Sequence, residues 1–134
     1  MDIQRTFGYL GLIMKAELRH LISPDIDERV YWPDEEDNFG FFVQALIGPA
    51  GEEGEEAFGF QVCTPKWISA KMINRDFGDY GVFGRYMIIV KDYDFDEIKR
   101  MVTKLCNDTS GENWQEIASK LSRYGEWEFS DYQT

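Results

Sequence analysis

The chain has 134 residues, of which 43% are hydrophobic and 16% aromatic, and a formal net charge of −11. This length and composition indicate one domain with a substantial core and exclude an intrinsically disordered protein. The negative charge argues against binding to nucleic acid or to an anionic membrane surface, and it favours basic partners or simply solubility.

Cysteine and histidine are scarce in this sequence. Cys63 and Cys106 are the two cysteines, without CxxC spacing, and His20 is the single histidine. The sequence therefore predicts no zinc site, no disulfide framework and no cofactor. We expect both thiols to be buried or half-buried in a reducing cytosol. No apolar run approaches the roughly 20 residues that span a membrane, and the N-terminal segment is a poor signal peptide.

The first segment, residues 1–13, follows no clear period, and Met14 is a possible start. We expect 1–13 to be an N-terminal extension, either poorly ordered or an added edge strand, and 14–134 to be a single domain. From Met14 onwards, every second residue is charged, which predicts a half-buried strand. The charged residues are Lys15, Glu17 and Arg19, and the residues expected to face inward are Ala16, Leu18, His20 and Ile22. His20 is then a core-facing or strand-edge residue.

An acidic loop follows this strand. From Asp25 to Glu56 the sequence has eleven acids and one base, Arg29. A first cluster, Asp34, Glu35, Glu36 and Asp37, lies near three aromatic residues, Tyr31, Trp32 and Phe39. A negative surface with aromatic neighbours suits a basic protein partner, because charge speeds encounter and buried aromatic side chains anchor the complex. The same composition is equally consistent with a solvated face.

The next stretch predicts an antiparallel hairpin. Apolar residues occupy the odd positions from Phe39 to Ile47 and recur at Phe58, Phe60 and Val62. The segment between them, 48–56, contains Pro, Gly and four acids, Glu52, Glu53, Glu55 and Glu56, so we predict a solvated, negative tip. The two acidic clusters lie at opposite ends of one strand and form one patch only if both loops fold over the same face.

Helix signals dominate the rest of the chain. Thr64 and Pro65 begin a helix that runs to about Ile73 and stops at Asn74. Asp94 and Glu97 form a capping-box pattern before a second helix. Its apolar stripe is Phe95, Ile98, Met101, Val102 and Leu105. Thr109 with Glu112 can cap a third helix, which Gly125 ends. The stripe of that helix is Trp114, Ile117, Ala118, Leu121 and Tyr124.

Two remaining segments predict strands. The continuously apolar run 86–90 is typical of a central strand covered on both faces. Trp127 and Phe129 alternate with Glu128, which predicts a short final strand or a packed tail. The element order gives an α+β domain. We expect an antiparallel sheet of about four strands, with the two C-terminal helices packed on one face and a short helix after the central hairpin.

Few motifs suggest chemistry. Asp92, Asp94 and Asp96 imitate the start of a calcium loop, but Glu97 and Thr103 occupy positions that need Gly and Glu, which favours the helix cap. Glu128, between two aromatic residues, is the best candidate for a buried carboxylate with a raised pKa that would serve a small carboxylate-dependent enzyme. The simpler interpretation is that Glu128 faces solvent or pairs with an arginine.

Several segments together resemble the immunity protein 8 family of bacterial polymorphic toxin systems. They are Phe39–Pro49, Gly51–Gly54, Phe58–Trp67, Gly84–Arg85, Trp114–Ala118 and Arg123–Phe129, and the resemblance extends from Met14 to Gln133. It implies an α+β immunity protein, encoded beside a toxin, that binds and neutralises that toxin in the cytoplasm. It implies no catalytic residues and supplies no toxin contacts. The two acidic clusters are the predicted partner-binding residues, and the carboxylate-dependent enzyme is the alternative function.

Overall fold

The computed structural model describes residues 13–130, so the predicted extension lies outside the described residues except for Ile13. Within this range the chain forms six strands and three helices. In chain order they are β1 (Met14–Ile22), β2 (Gly40–Pro49), β3 (Glu56–Cys63), α1 (Pro65–Ile73), β4 (Met87–Ile89), α2 (Phe95–Asn107), β5 (Ser110–Gly111), α3 (Trp114–Leu121) and β6 (Glu126–Trp127). The mixed α+β class is confirmed, whereas the prediction of about four strands was too low.

The strands form one sheet in the order β4-β3-β2-β1-β5, and β6 also pairs with β3. The predicted hairpin of β2 and β3 is antiparallel, as is the pairing of β2 with β1. Because one edge of β3 is occupied by β2, the two short strands β4 and β6 share its other edge. Gln61–Cys63 pair with β4, and Phe58 and Gly59 pair with β6.

The apolar run 86–90 does not form a central strand, so that prediction was wrong. Only Met87–Ile89 are paired, on one side, and 51% of Ile89 is exposed. β4 runs parallel to β3, and a parallel neighbour requires a crossover connection, here through α1, instead of a tight hairpin. The run is apolar because Ile88 packs into the core from the edge of the sheet.

A β-bulge in β1 overturns the predicted alternation around His20. Leu18 pairs with Ile47, but His20 pairs with Leu46, so Arg19 is the extra residue. Because side chains alternate between the two faces, the bulge turns Leu21 into the core and leaves His20 and Ile22 exposed. Leu21 is 6% exposed and Ile22 is 47% exposed. The core-facing placement of His20 and Ile22 was therefore wrong.

The core lies between one face of the sheet and the helices α2 and α3. Cross-strand pairs on this face are fully buried: Phe41 with Val62, Val43 with Phe60, and Ala45 with Phe58. The helices contribute their predicted apolar stripes, as helical spacing requires. The buried members of these stripes are Ile98, Val102, Ile117, Ala118 and Leu121, whereas Phe95, Leu105 and Trp114 are only partly buried. Cys106, which was not predicted in a stripe, is also buried. Met101 and Tyr124, predicted in the same stripes, are 44% and 56% exposed.

Capping side chains fix where the helices begin. Thr64 caps α1, and its Oγ1 accepts hydrogen bonds from the backbone N–H groups of Trp67 and Phe39, both at 3.3 Å. Asp94 caps α2 as predicted. The cap of α3 is Asn113 and not Thr109.

Thr109 belongs to the end of α2. Its hydroxyl donates to the carbonyl oxygen of Leu105 at 2.7 Å. The next two residues, Ser110 and Gly111, pair with the start of β1. Because the chain is extended there, α3 begins only after this short strand.

The other face of the sheet carries α1 at one end. The Trp67 ring lies over Gly40, where an added Cβ would be 2.2 Å from the ring. In the same way the Phe42 ring covers Gly59, at 2.4 Å from an added Cβ. Neither glycine tolerates a side chain unless the ring moves. The absence of a Cβ at Gly40 therefore brings α1 close to the start of β2 and to the acidic loop before it.

Candidate functional site

The loop that joins β1 to β2 carries the first acidic cluster and is anchored at both ends. Asp25 accepts a hydrogen bond from the backbone N–H of Phe42 at 2.8 Å, next to the end of β1. The backbone N–H of Tyr93 donates to the carbonyl oxygen of Glu36 at 2.8 Å, which joins the loop to the segment before α2. Its carboxylates therefore stand on a fixed backbone.

The four acids of this cluster do not have equal surroundings. Lys66 of α1 lies 2.9 Å from Glu35 and 3.6 Å from Asp37. The hydrogen bond to Glu35 and the charge of Asp37 raise the pKa of Lys66. All three side chains are more than half exposed, so these ion pairs add little to stability. Within the described residues, Asp34 and Glu36 make no ion pair.

The second cluster lies at the hairpin tip. Glu52, Glu53 and Glu55 are exposed. Arg19, the bulged residue of β1, holds the backbone beneath them: its Nη2 donates to the carbonyl oxygens of Pro49 and Glu52, each at 2.7 Å. The strand β2, with ten residues, separates this tip from the first cluster, a distance of roughly 30 Å. The structure does not bring the two clusters together.

Glu56, predicted with the tip acids, has different surroundings. It is the first residue of β3 and pairs with Ile47. Its Oε1 accepts hydrogen bonds from the indole Nε1 atoms of Trp114 and Trp127, both at 2.8 Å. The carboxylate is therefore occupied by two contacts inside the chain.

The first cluster has neighbours that are distant in sequence. Five carboxylates line a cleft of about 730 Å³ between the β1–β2 loop and the start of α2. They belong to Glu28, Glu36, Asp92, Asp94 and Asp96. Hereafter we call this the Tyr93 cleft, because Tyr93 lies at its base beside Tyr31 and Trp32. Of these acids, only Glu36 was predicted as a partner-binding residue.

Aromatic rings surround Tyr93. The rings of Tyr31 and Trp32 meet it edge-on, with centroids at 5.3 and 5.1 Å. Phe39 and Phe41 contact it from the core side, at 5.5 and 6.2 Å. Tyr93 is 5% exposed, and its hydroxyl is buried without a hydrogen-bond partner in the described structure. Burial raises the pKa of Tyr93, and the charges of Tyr31, Glu28, Asp94 and Asp96 raise it further.

Comparison with known proteins gives one match. A family model described as Immunity protein 8 matches residues 16–132. The chain belongs to the immunity protein 8 family. The resemblance found in the sequence is thereby confirmed, and the matched range contains every element of the sheet from β2 to β6 and all three helices. No curated protein and no solved structure matches the chain.

The candidate residue of the alternative enzyme, Glu128, lies beside the edge of β3. Glu128 is exposed, and its Oε2 accepts a hydrogen bond from the backbone N–H of Ala57 at 2.5 Å. Its own N–H donates to the carbonyl oxygen of Ala57 at 3.1 Å. Glu128 thus extends the pairing of β6 with β3. In this member of the immunity protein 8 family the simpler interpretation therefore holds, because Glu128 faces solvent and is not a buried carboxylate.

The cysteines of this immunity protein 8 chain are buried, as predicted. Cys63 is 0% and Cys106 is 1% exposed. Burial raises the pKa of Cys63 to about 11 and that of Cys106 to about 12, so both are thiols at neutral pH. Within residues 13–130, no group of three or more His, Cys, Asp or Glu side chains is placed to hold a metal ion. Across the same range, no helix has the length and apolar character needed to span a membrane.

An exposed aromatic loop was not assigned any role from the sequence. It connects α1 to β4 and contains Tyr80, 102% exposed, and Phe83, 89% exposed. Two of its glycines, Gly78 and Gly81, have φ of 92° and 123°, the left-handed region that favours glycine. Exposed aromatic side chains on such a loop are a second kind of surface that suits a protein partner.

Proposed function

We propose that this protein is an immunity protein that binds a cognate bacterial polymorphic toxin in the cytoplasm and blocks it by occlusion, without chemistry of its own. The observation that carries the proposal is the family match over residues 16–132. An immunity protein must act on its toxin, and occlusion of the active site or substrate groove requires only a complementary surface.

The charge of the chain supports a basic partner. Its net charge is −11, and most of the excess comes from the segment 25–56. We propose that the acids of the two predicted clusters face the toxin: Asp34, Glu35, Glu36, Asp37, Glu52, Glu53, Glu55 and Glu56. If the toxin is a nuclease, its groove is basic, and exposed carboxylates can occupy that groove as phosphates do. Among these acids Glu56 is the least available, because two indoles already bind its carboxylate.

The surroundings of the candidate catalytic groups favour binding over turnover. Glu128 is part of a strand edge, and His20 is exposed on the sheet face opposite α2 and α3. Neither lies in an enclosed apolar pocket of the kind that raises the pKa of a catalytic carboxylate. Among residues 13–130, neither Glu128 nor His20 therefore favours the carboxylate-dependent enzyme.

Co-expression with the product of the neighbouring gene tests this function. We expect the two proteins to co-purify as a stable complex and the host to survive only when both are produced. A matched control is the Leu121→Asp variant, which places a charge in the core and should lose both effects with the fold. Host death despite soluble, folded protein, together with separate elution of the two proteins, would contradict the proposal.

A further inference from the structure

The Tyr93 cleft brings together carboxylates from two separate segments, the β1–β2 loop and the start of α2 with the residues before it. Asp94 caps α2, and Asp96 lies in its first turn, where a negative charge is favourable. Glu28, Glu36 and Asp92 neither cap α2 nor lie in its first turn. Within the described residues they form no ion pair. Three negative charges therefore converge on one cleft without an ion pair of their own, and Arg29 at the rim is the cation on which the charge of Glu28 acts.

The cation that lines the cleft is already neutralised. Arg29 donates to both carboxylate oxygens of Asp27, from Nε at 3.0 Å and from Nη2 at 2.8 Å. This pairing lowers the pKa of Asp27 to about 2 and raises that of Arg29. With Arg29 engaged at the rim, the cleft remains strongly negative.

The wall of the cleft is aromatic. Trp32 is 63% exposed, and its ring stands edge-on to Tyr93 at 5.1 Å. A cation in this position is attracted by the charges of the carboxylates. It is also attracted by the face of the exposed indole ring through a cation–π interaction. The aromatic wall thus selects a basic side chain over a hydrated metal ion.

The Tyr93 hydroxyl provides evidence for a bound group that does not depend on the charge of the cleft. It is buried, unpartnered and close enough to Glu28, Asp94 and Asp96 for their charges to act on it. Buried hydroxyl groups nearly always have a hydrogen-bond partner, and one without a partner needs an explanation. Its oxygen exposes less than 1 Å², so a donor reaches it only when a neighbouring side chain rotates. We expect Trp32 to be that side chain, because its ring contacts the Tyr93 ring and is 63% exposed.

We propose that the Tyr93 cleft receives an arginine or lysine side chain of the toxin. This inference rests on the proposed function and adds the residue class that the partner contributes. The cationic group lies against the Trp32 ring, between the carboxylates of Glu28, Glu36 and Asp92, and one N–H donates to the Tyr93 hydroxyl oxygen. Arginine is favoured over lysine because its planar guanidinium offers five donors and stacks on aromatic faces.

A probe experiment tests the cleft without the toxin. The probe is N-acetyl-arginine amide, and its uncharged counterpart is N-acetyl-citrulline amide. We expect a saturable shift of the Trp32 indole N–H resonance, assigned with Trp32→Phe, for the arginine compound and none for the citrulline compound. The shift should disappear in a variant that combines Glu28→Gln, Glu36→Gln and Asp92→Asn. Equal responses to both compounds, or an undiminished response in this variant, would overturn the proposal.

A second experiment uses the toxin and a control with the same change of charge. The cleft variant above should raise the Kd about tenfold at 0.15 M salt, whereas Glu52→Gln, Glu53→Gln and Glu55→Gln together should raise it less than about threefold. Tyr93→Phe should weaken binding by about fivefold without lowering the thermal midpoint, because the hydroxyl has no partner to lose. If the wild type binds but the cleft variants bind equally well, the cleft proposal fails and the proposed function stands.

The two failures can be told apart. If the wild-type protein does not bind the toxin, the proposed function fails. The response of Trp32 to the arginine compound then still decides whether the cleft accepts a basic side chain.

Discussion

The carboxylate of Glu56 accepts a hydrogen bond from the indole Nε1 of Trp127 at 2.8 Å. Trp114 donates to the same oxygen at 2.8 Å. Both rings also pack against Phe58, with centroids at 6.2 Å for Trp127 and 6.5 Å for Trp114. One carboxylate therefore joins the beginnings of β3 and α3 to β6, which are elements distant in sequence. In the sequence Glu56 looks like one more acid of the hairpin tip, but its contacts make it part of the fold.

Replacing Glu56 tests this structural role. Glu56→Ala leaves two indole N–H groups without their acceptor and should lower the free energy of unfolding by about 2 kcal/mol. Glu56→Gln keeps an oxygen acceptor and should cost less. The measurement is urea unfolding, with Glu53→Ala at the exposed tip as the control, which should change stability by less than about 0.5 kcal/mol. Equal effects of Glu56→Ala and Glu53→Ala would contradict the role assigned to the two hydrogen bonds.

The packing of α3 on the sheet gives a second prediction. Leu121 is 1% exposed, so Leu121→Ala should lower the free energy of unfolding by roughly 2–5 kcal/mol through lost burial and the cavity that remains. Met101→Ala on α2 is the matched control, because its side chain is of similar size but 44% exposed. A loss for Leu121→Ala no larger than that for Met101→Ala would show that α3 does not pack as described.

The buried thiols predict a loss of stability in alkaline solution. Burial raises the pKa of Cys63 from 9.0 to about 11 and that of Cys106 from 9.0 to about 12. Above pH 9 the unfolded chain loses these protons and the folded chain keeps them. The folded state then binds more protons, so stability must fall as the pH rises through 9 towards 12. Burial also raises the pKa of Tyr31 and Tyr93, which acts in the same direction above pH 10.

Thermal unfolding between pH 8 and pH 11 checks this pH dependence. The thermal midpoint should fall across the range in the wild type and fall less steeply when Cys63 and Cys106 are both replaced by Ala. The comparison concerns the slopes, because the replacements also change packing. If the thermal midpoint of the double variant falls with pH as steeply as that of the wild type, groups other than the two thiols cause the loss of stability.

The sequence predicted those parts of the fold that depend on local chemistry. Thr64 and Asp94 cap helices because each side chain reaches its own first turn, and the β2–β3 hairpin follows from alternation. The errors arose where a tertiary contact overrides a local pattern. The bulge at Arg19 is stabilised by the carbonyl groups of the hairpin tip and exposes His20. Pairing of Ser110 with β1 delays the start of α3 to Trp114.

The candidate site was only partly visible in the sequence. Its acidic loop and the neighbouring Tyr31 and Trp32 could be found from composition alone. Tyr93 could not, because about sixty residues separate it from Trp32 and only the fold brings them together. The aspartates on both sides of Tyr93 were considered as a calcium loop and then as a helix cap, although one of them, Asp92, points to the cleft instead.

Electrostatic steering by the acidic loops predicts a salt-dependent association rate. Raising the salt from 0.01 M to 0.1 M shortens the Debye length from about 30 Å to about 10 Å, so association with the toxin should slow while dissociation changes less. Neutralising Glu52, Glu53 and Glu55 should slow association at low salt, as should neutralising Asp34 to Asp37 in a separate variant. Glu56 is excluded from these changes because it supports the fold.

If both variants associate as fast as the wild type at low and at high salt, the acidic loops do not guide the toxin. The interface would then lie on another face, and the exposed loop with Tyr80 and Phe83 is the surface to replace next.

The central claim is that this protein inhibits a toxin by occupying it, and a titration of toxin activity tests that claim most directly. Purified product of the neighbouring gene is assayed on its own substrate with increasing amounts of this protein. We predict that activity falls linearly to zero near one equivalent and returns in full when the complex is denatured and the toxin is refolded alone. Complete inactivation by a small fraction of one equivalent, or a toxin that stays inactive and altered in mass after separation, would show catalysis instead of occlusion.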